Sequence, residues 1–530
     1  MNNKATSIMK HKTELLTGCL LAFVLVHSLY YFAVTHSSKV IVVGCVCAFM
    51  LIVSYSALFL ARKKRWSEHP VANIVFPFVI AVLGICFCFG MPAGSVPDEP
   101  NHFYDSYTYC KSMASSNYSD IRAEDEPLFE AGGMLSTEIK QSQWEYVVRH
   151  ICDDVKDWKV DISDIQGFDS DRLAPIDCIR DFGSYLPQQK IPSALGIGLA
   201  LLLNLNHVWV FYFGRLANLL FALLLIIAAV RVIPVGKNIM MTVALFPMTL
   251  QLLASYSYDS PTIGYAFLLT ALVVRMYCGQ AQISRLHEFE VVFLTVLIAP
   301  CKVIYTVIGL LSLFVPASRF AYKKDSWVFR AVLICASLAS ILAVRMTAMA
   351  GLGSASDHLD SRGAEVGVFW SLGDILAQPL YSLEFLWRTF EVLGSFWLFN
   401  MPGHSLGWFQ QNTTLPDFVP VLFLGVAAVS AIRCKDDSGI LPSRLRALGI
   451  LGVLFASAGI ILSMWLGWTF LSDLWIQGVQ GRYFIPLLPL FMLAVRPSSI
   501  NCDVRLDYFC VSTTATLSLL ALMHIFSVAV

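Results

Sequence analysis

Charged residues are scarce in this chain of 530 residues: they make up 14% of it, whereas 57% of the residues are apolar. Soluble globular domains carry about 25% charged residues, so the composition excludes an ordinary water-soluble protein and predicts a polytopic membrane protein. Lysine and arginine balance aspartate and glutamate, 37 against 37. A chain without excess positive charge lacks the electrostatic signature of nucleic-acid binding, and we expect no nucleic-acid partner.

Cysteine pairs of the metal-binding or redox type are also missing. None of the 14 cysteines belongs to a Cys-x-x-Cys pair, and most lie inside apolar runs, where a cysteine behaves as a small hydrophobic residue.

A small-residue cleavage site is absent after the first apolar run, 15–33. That run is therefore predicted to be a membrane anchor and not a removable signal peptide.

Long apolar runs dominate what is present. A helix needs about 20 apolar residues to cross a bilayer, which predicts an all-α polytopic protein with about 13 transmembrane helices. The predicted spans lie near residues 14–34, 39–61, 71–91, 208–231, 239–255, 260–278, 287–300, 302–317, 328–348, 415–433, 447–468, 481–496 and 507–528. The pair 287–317 is either one long helix broken at Pro300-Cys301-Lys302 or two short helices.

Basic residues in the short loops set the predicted orientation. Lysine and arginine cluster at the N-terminus and near 62–65, 231–237, 319–324, 433–446 and 496–505. All these clusters fall on one side of the predicted spans, and cytoplasmic loops carry the excess of lysine and arginine. The N-terminus is therefore predicted to be cytoplasmic, and the long polar loop 92–190 to face outward. The run 191–203 must then form a juxtamembrane or re-entrant helix, and 381–400 is predicted to be an amphipathic helix at the interface.

The spans and loops divide the chain into four predicted segments. They are a two-span anchor at 1–70, a membrane module at 71–348 that includes outer loop 92–190, a second outer loop with an interfacial helix at 349–414, and C-terminal transmembrane helices at 415–530. No internal repeat is evident, although the repeats of secondary transporters often escape detection in sequence.

Two adjacent acids open the long outer loop. Asp98 and Glu99 lie between prolines in Val96-Pro-Asp-Glu-Pro-Asn-His102. Because proline resists helix continuation, the turn is expected to hold both carboxylates at the bilayer surface. The pair is predicted to bind a divalent cation, Mg²⁺ or Mn²⁺, through oxygen ligands, or to supply a general base. The alternative is a capped helix start, where acids are favoured by the helix dipole.

Further polar residues are predicted at the outer ends of later spans. Asp259 is a second acid, unless it is only a turn residue. Lys302 lies in the break within 287–317, where a cation faces a cavity or partner or snorkels to the interface. Arg482, followed by Tyr483, is placed either to bind a phosphate through several donors at once or to anchor the chain at the interface.

Three residues around the outer loop have predicted supporting roles. Arg215 and Asn218 lie near the start of the 208–231 span. A buried arginine there needs a carboxylate, so an acid of the outer loop is its expected partner and a structural role is predicted. Tyr185, with spaced prolines after it, is predicted to shape a groove for the acceptor.

These motifs together resemble one bacterial family of predicted membrane proteins, domain-of-unknown-function 2142. The motifs are Pro-Asp-Glu-Pro-x-His at 97–102, Tyr-x-Pro at 185–187, Gly-Arg-Leu-x-Asn at 214–218, Ser-x-Ser-x-Asp at 255–259, Lys-x-x-Tyr at 302–305 and Gln-Gly-Arg-Tyr-Phe-Ile-Pro at 480–486. The resemblance covers roughly residues 75–500, and it leaves out the two N-terminal spans and the last span.

That family is similar to the GT-C superfamily of polytopic glycosyltransferases. In GT-C proteins an acidic motif follows a span, juxtamembrane helices come next, and a second acid follows a later span. The resemblance implies a GT-C-like fold in the bacterial cytoplasmic membrane. It also implies a polyprenyl-phosphate-linked sugar as donor and a cell-surface glycan, lipid or protein as acceptor, with the reaction at the outer face.

On this basis we expect three catalytic and five substrate-binding residues. The catalytic residues are Asp98 or Glu99 as the base, with Asp259 positioning the acceptor or the metal. The substrate contacts are His102, Tyr185, Lys302, Arg482 and Tyr483. Two other classes remain open: a transporter or flippase of lipid-linked glycans, and a polymerase or ligase of surface polysaccharide.

Overall fold

The computed structural model describes residues 2–91, 94–114, 187–205, 207–352, 369–407 and 414–528. The long polar loop 92–190 is described only near its two ends. Tyr185 lies outside the described residues, so its predicted contact with an acceptor stays a prediction.

Helices make up most of the described chain. The helices up to residue 278 are α1 (Asn2–Thr35), α2 (Ser38–Lys64), α3 (Phe76–Gly90), α4 (Glu99–Ala114), α5 (Pro187–Leu202), α6 (His207–Val232), α7 (Lys237–Ala244), α8 (Pro247–Leu253) and α9 (Asp259–Cys278). The later helices are α10 (Arg285–Ile298), α11 (Thr306–Leu310), α12 (Lys323–Leu352), α13 (Leu372–Ala377), α14 (Pro379–Asn400), α15 (Phe418–Ser430), α16 (Ser443–Trp468), α17 (Leu488–Val495) and α18 (Asp507–Val528). Two short strands, β1 (Arg433–Cys434) and β2 (Asn501–Cys502), pair in parallel.

Eight helical segments of the described chain are long and apolar enough to cross a membrane. They are Lys12–Thr35, Ser38–Lys64, Val71–Gly90, Val208–Val232, Asp259–Cys278, Lys323–Ala343, Ser443–Trp468 and Asp507–Ile525. Each coincides with a predicted span. The prediction of a mostly helical polytopic membrane protein is thereby confirmed.

The other five predicted spans contain shorter or interrupted helices. The run 239–255 is divided into α7 and α8, because Pro247 begins a new helix. Helix α10 has 14 residues, α15 has 13 and α17 has 8. In 302–317 a short α11 stands between two 3₁₀ turns. Proline lacks a backbone donor and interrupts helices. In these five regions the apolar run in the sequence is therefore longer than any helix within it. The count of 13 spans stays a prediction.

The 287–317 region is not one continuous helix. It consists of two short helical pieces, separated by non-helical residues around Pro300. Helix α10 ends at Ile298, two residues before Pro300. Lys302 then has an extended backbone, with φ −150° and ψ 110°, before the next 3₁₀ turn begins. The break therefore places the Lys302 side chain at the end of the bundle where α10 finishes.

Helix α9 lies in the middle of the bundle. In its candidate span 78% of the residues are buried, whereas only 22% are buried in that of α12. Helix α9 packs along α6, and Gly264 permits the approach because a Cβ there would fall 2.8 Å from the Leu225 side chain. The N-terminus of α9 carries Asp259, so the acid belongs to a helix that is buried along most of its length.

The predicted cytoplasmic loops gather at the opposite end of the bundle. Arg496 is fully buried there and contacts Asp437 at 3.0 Å. Arg319 donates to the carbonyl oxygens of Met276 and Ala281. These residues thus lie away from the end where α3 finishes and α9 starts, and the side of the membrane that each end faces stays a prediction.

Helix α14 has the amphipathic character predicted for 381–400. Its exposed apolar residues include Leu380, Leu383 and Trp387. Beside them Arg388 and Glu384 form an exposed ion pair at 2.7 Å. A helix with an exposed apolar stripe and a charged flank suits a membrane interface, and its location there stays a prediction.

Candidate functional site

The acidic turn separates its two carboxylates. Asp98 adopts a left-handed backbone with φ 61°, a conformation that aspartate and asparagine tolerate better than most residues. Helix α4 starts at the next residue, and the His102 amide donates to the Asp98 carbonyl at 3.0 Å. The Asp98 side chain is 44% exposed, whereas Glu99 is fully buried. The two acids therefore occupy different environments.

Glu99 is held by Arg215 in a fully buried ion pair. Arg215 Nε lies 2.8 Å from Oε1 of Glu99, and Nη2 lies 2.6 Å from Oε2. The backbone amides of Gly94 and Tyr256 also donate to this carboxylate, at 3.1 Å and 3.2 Å. Arg215 has the outer-loop acid as its partner, which sequence analysis predicted. Both oxygen atoms of Glu99 are thus occupied.

Asn218 supports the segment that leads to Asp259. Its side-chain amide donates to the Ser255 carbonyl at 2.7 Å. One turn of α6 away, Arg215 and Glu99 fix the Tyr256 amide. The pair Arg215 and Asn218 therefore joins the acidic turn to the start of α9, and the structural role of both residues stays a prediction.

Four charged residues from four segments meet at one end of the bundle. Arg482 Nη2 lies 3.6 Å from Asp98 Oδ2, and Arg482 Nε lies 3.7 Å from Asp259 Oδ2. Lys302 Nζ lies 3.2 Å from Asp259 Oδ1. With the adjoining Tyr483, these residues are called the Arg482 cluster. Every member is a site residue predicted from the sequence, and the fold brings all of them together.

Tyrosine rings surround the Lys302 ammonium. It lies 3.9 Å from the ring centroid of Tyr483 and 5.4 Å from that of Tyr258. The Tyr305 hydroxyl donates to the Tyr483 backbone carbonyl at 2.7 Å and so anchors the backbone at that residue.

The Arg482 side chain is only 6% exposed, and one N–H donor of its guanidinium makes no hydrogen bond to the described residues. Its Nε is buried and has no hydrogen-bond partner in the part of the chain that the structure describes. Both neighbouring carboxylates lie beyond hydrogen-bond distance. The arrangement suits an oxyanion, which arginine binds through several N–H donors.

A second charged group adjoins the Arg482 cluster. Lys190, at the start of α5, is buried and lies 3.2 Å from Asp105 and 3.3 Å from His102 Nδ1. His102 and Asp105 share a face of α4, and their side chains lie 3.8 Å apart. Lys190 is not among the site residues predicted from the sequence. The feature of the sequence that could have indicated Lys190 is its charge, because it is the single charged residue of α5.

The acidic pair is not arranged as two free carboxylates facing one cation. Glu99 accepts hydrogen bonds from Arg215 and two backbone amides, and Asp98 faces Arg482. Among the described residues, no group of three or more His, Cys, Asp or Glu side chains is placed to hold a metal. The divalent cation stays a prediction, and Arg482 with Lys302 already supplies positive charge here.

Gly481 allows α14 to contact the Arg482 cluster directly. A Cβ at Gly481 would collide with the Trp397 carbonyl and the Met401 amide. We expect Gly481→Ala to destabilise the protein by about 1–3 kcal/mol, the usual cost of overpacking, measured as a lower Tm in detergent. The control is Gly394→Ala in α14, where the Cβ meets nothing within 4 Å. Equal Tm values for the two variants would contradict this prediction.

Comparison with known proteins extends these observations. The family model for predicted membrane proteins designated DUF2142 matches residues 78–491. No curated protein and no solved structure matches the chain. The matched region contains every member of the Arg482 cluster and leaves out α1, α2 and α18. Because the match spans more than half of the sequence, the chain belongs to the DUF2142 family of predicted membrane proteins.

Proposed function

We propose that this protein is a membrane glycosyltransferase of GT-C type. It transfers a sugar from a polyprenyl-phosphate-linked donor to a cell-surface glycan, lipid or protein at the outer face of the bacterial cytoplasmic membrane. The observation that carries the proposal is the buried Arg482 guanidinium, held between Asp98 and Asp259 without a hydrogen bond to either carboxylate. The link to GT-C enzymes is an analogy of sequence order and topology.

Arg482 and Lys302 bind the phosphate of the donor. As the sugar leaves, negative charge grows on the phosphate oxygen, and cations already in place stabilise it more than water does. Arg482 offers a planar set of donors that matches a phosphate, and Lys302 adds a point charge. The two acids hold these cations in position before the donor arrives. Tyr483 packs against the Lys302 ammonium and orients it.

Asp98 is the general base. Its side chain is partly exposed, whereas Glu99 is buried and bound to Arg215. In the proposed reaction the acceptor hydroxyl oxygen forms a bond to the anomeric carbon, and the bond from that carbon to the phosphate oxygen breaks with its electron pair. The hydroxyl proton passes to Asp98, and polyprenyl phosphate departs. Asp259 positions Lys302 and the acceptor, and Glu99 positions Asp98.

The position of the cluster supports an outer-face reaction. The Arg482 cluster lies at the bundle end opposite the basic loops, and loops rich in lysine and arginine stay in the cytoplasm. A polyprenyl chain would remain in the bilayer while its phosphate reaches this end. The substrate phosphate and the membrane surface therefore meet at the proposed site.

Transfer of label from a radioactive polyprenyl-phosphate sugar tests the proposal. Membranes carrying the wild type, Asp98→Asn or Asp417→Asn are compared at equal protein level. Asparagine tolerates the left-handed backbone, so Asp98→Asn removes the base and preserves the turn; we expect a loss of about 10²-fold or more. Asp417 is 86% exposed, and its replacement should leave transfer unchanged.

The product distinguishes the competing classes. Label in a new glycan, lipid or protein product supports a transferase, and a ladder of long products indicates a polymerase or ligase. Label that changes leaflet without a new product indicates a flippase. Equal transfer by the wild type and Asp98→Asn would refute Asp98 as the base.

A further inference from the structure

His102, Asp105 and Lys190 form a buried group beside the Arg482 cluster. Lys190 Nζ lies 3.3 Å from Nδ1 of His102 and 3.2 Å from Oδ2 of Asp105. The Asp105 oxygen is 3.8 Å from the same His102 nitrogen, beyond hydrogen-bond distance. Lys190 therefore stands between the two and is the hydrogen-bonding neighbour of Nδ1.

The identity of this neighbour determines the tautomer of His102. A lysine ammonium has three N–H donors and no acceptor, so Nδ1 must accept the hydrogen bond. A neutral imidazole with Nδ1 as acceptor carries its hydrogen on Nε2. Asp105 lies 3.2 Å from Lys190 Nζ, and this ion pair holds the ammonium beside the His102 ring.

His102 also borders the proposed phosphate site. Its ring packs edge-on against Tyr258, with centroids 4.8 Å apart. The ring of the same tyrosine lies 5.4 Å from the Lys302 ammonium. His102 and Lys302 thus share one aromatic neighbour, and the His102 amide closes the first turn of α4 by donating to the Asp98 carbonyl.

We propose that Lys190 fixes His102 as a neutral imidazole whose Nε2–H donates a hydrogen bond to an oxygen atom of the substrate. His102 then positions the substrate and does not take its proton, while Lys190 acts through His102 as a positioning residue. The substrate part of this inference rests on the proposed transferase function, and the tautomer does not.

The surroundings of His102 agree with a neutral ring. Burial lowers the pKa of His102, and the Lys190 charge adds to that effect. Asp105 and Asp98 oppose it, and the net direction remains downward. Tyr258 contributes an aromatic edge and no charge near neutral pH.

Histidine nitrogen NMR tests the tautomer without any assay of activity. Protein labelled with ¹⁵N-histidine is compared with His102→Gln in the same detergent, so that the missing signals identify His102 among the 11 histidines. We expect the neutral Nε2–H form at pH 7 in the wild type and loss of that single form in Lys190→Met. A His102 imidazolium at pH 7, or a hydrogen on Nδ1, would overturn the inference.

A pair of amide substitutions tests the donor role in the transfer assay. The side-chain amide of glutamine can donate from about the position of Nε2, whereas that of asparagine reaches only about the position of Nδ1. We expect His102→Gln to keep most activity and His102→Asn to lose about 10- to 100-fold, the effect of one strong hydrogen bond. Equal losses would mean that His102 takes a proton, which refutes the inference.

The two proposals fail in distinguishable ways. If the wild type transfers sugar but both variants are equally inactive, the donor role is wrong and the transferase proposal stands. If the wild type shows no transfer, the transferase proposal fails, and the NMR result alone decides the tautomer of His102.

Discussion

Replacement of Arg482 by alanine is expected to lower sugar transfer by about 10³-fold or more, because the departing phosphate loses its main source of positive charge. Removal of one preorganised donor to a developing oxyanion costs about 10²–10³-fold, and arginines that stabilise phosphoryl groups contribute about 10³–10⁵-fold. The measurement is the initial rate of label transfer from the polyprenyl-phosphate donor. Lys302 remains in Arg482→Ala and supplies only a point charge.

Two further variants sharpen this test. Arg482→Lys keeps the charge but loses the planar donors, and we expect activity between those of the wild type and Arg482→Ala. Arg388→Ala removes an arginine that pairs with Glu384 on exposed α14, and it should transfer sugar at the normal rate. If Arg482→Ala keeps its Tm and transfers like the wild type, Arg482 does not bind the phosphate.

Replacement of Arg215 by methionine is expected to destabilise the protein by about 3–5 kcal/mol, since it leaves Glu99 buried without its partner. Both side chains are fully buried, so solvent cannot replace the lost charge. The measurement is thermal unfolding in detergent together with the yield of folded protein. A control variant, Arg388→Met, removes an exposed arginine and should change the Tm little, because exposed ion pairs contribute about 0–1 kcal/mol.

The double variant Arg215→Met with Glu99→Gln separates a structural role from a catalytic one. Removing both charges avoids the unpaired buried carboxylate, so the double variant should be more stable than Arg215→Met. If Glu99→Gln instead keeps the wild-type Tm and abolishes transfer, Glu99 is the base and the role proposed for Asp98 is wrong.

The apolar pattern of the sequence predicts where long helices lie, but not where shorter helices are interrupted. The eight segments long enough to cross a membrane all coincide with predicted spans, because run length and hydropathy are local properties. In 239–255, 302–317 and 481–496, prolines and 3₁₀ turns interrupt the helix. How a broken segment packs depends on its neighbours, and composition carries no information about them.

The sequence by itself determined that this is a helical membrane protein with an acidic turn, a buried arginine in need of a carboxylate, and an arginine–tyrosine motif after a glycine. Only the tertiary structure decided which carboxylate pairs with which cationic side chain. Asp98 and Glu99 are neighbours in the chain, yet the left-handed turn sends Glu99 to Arg215 and leaves Asp98 beside Arg482. Likewise Lys190 reaches His102 across 88 positions. Such pairings depend on helix packing and burial, which no local pattern records.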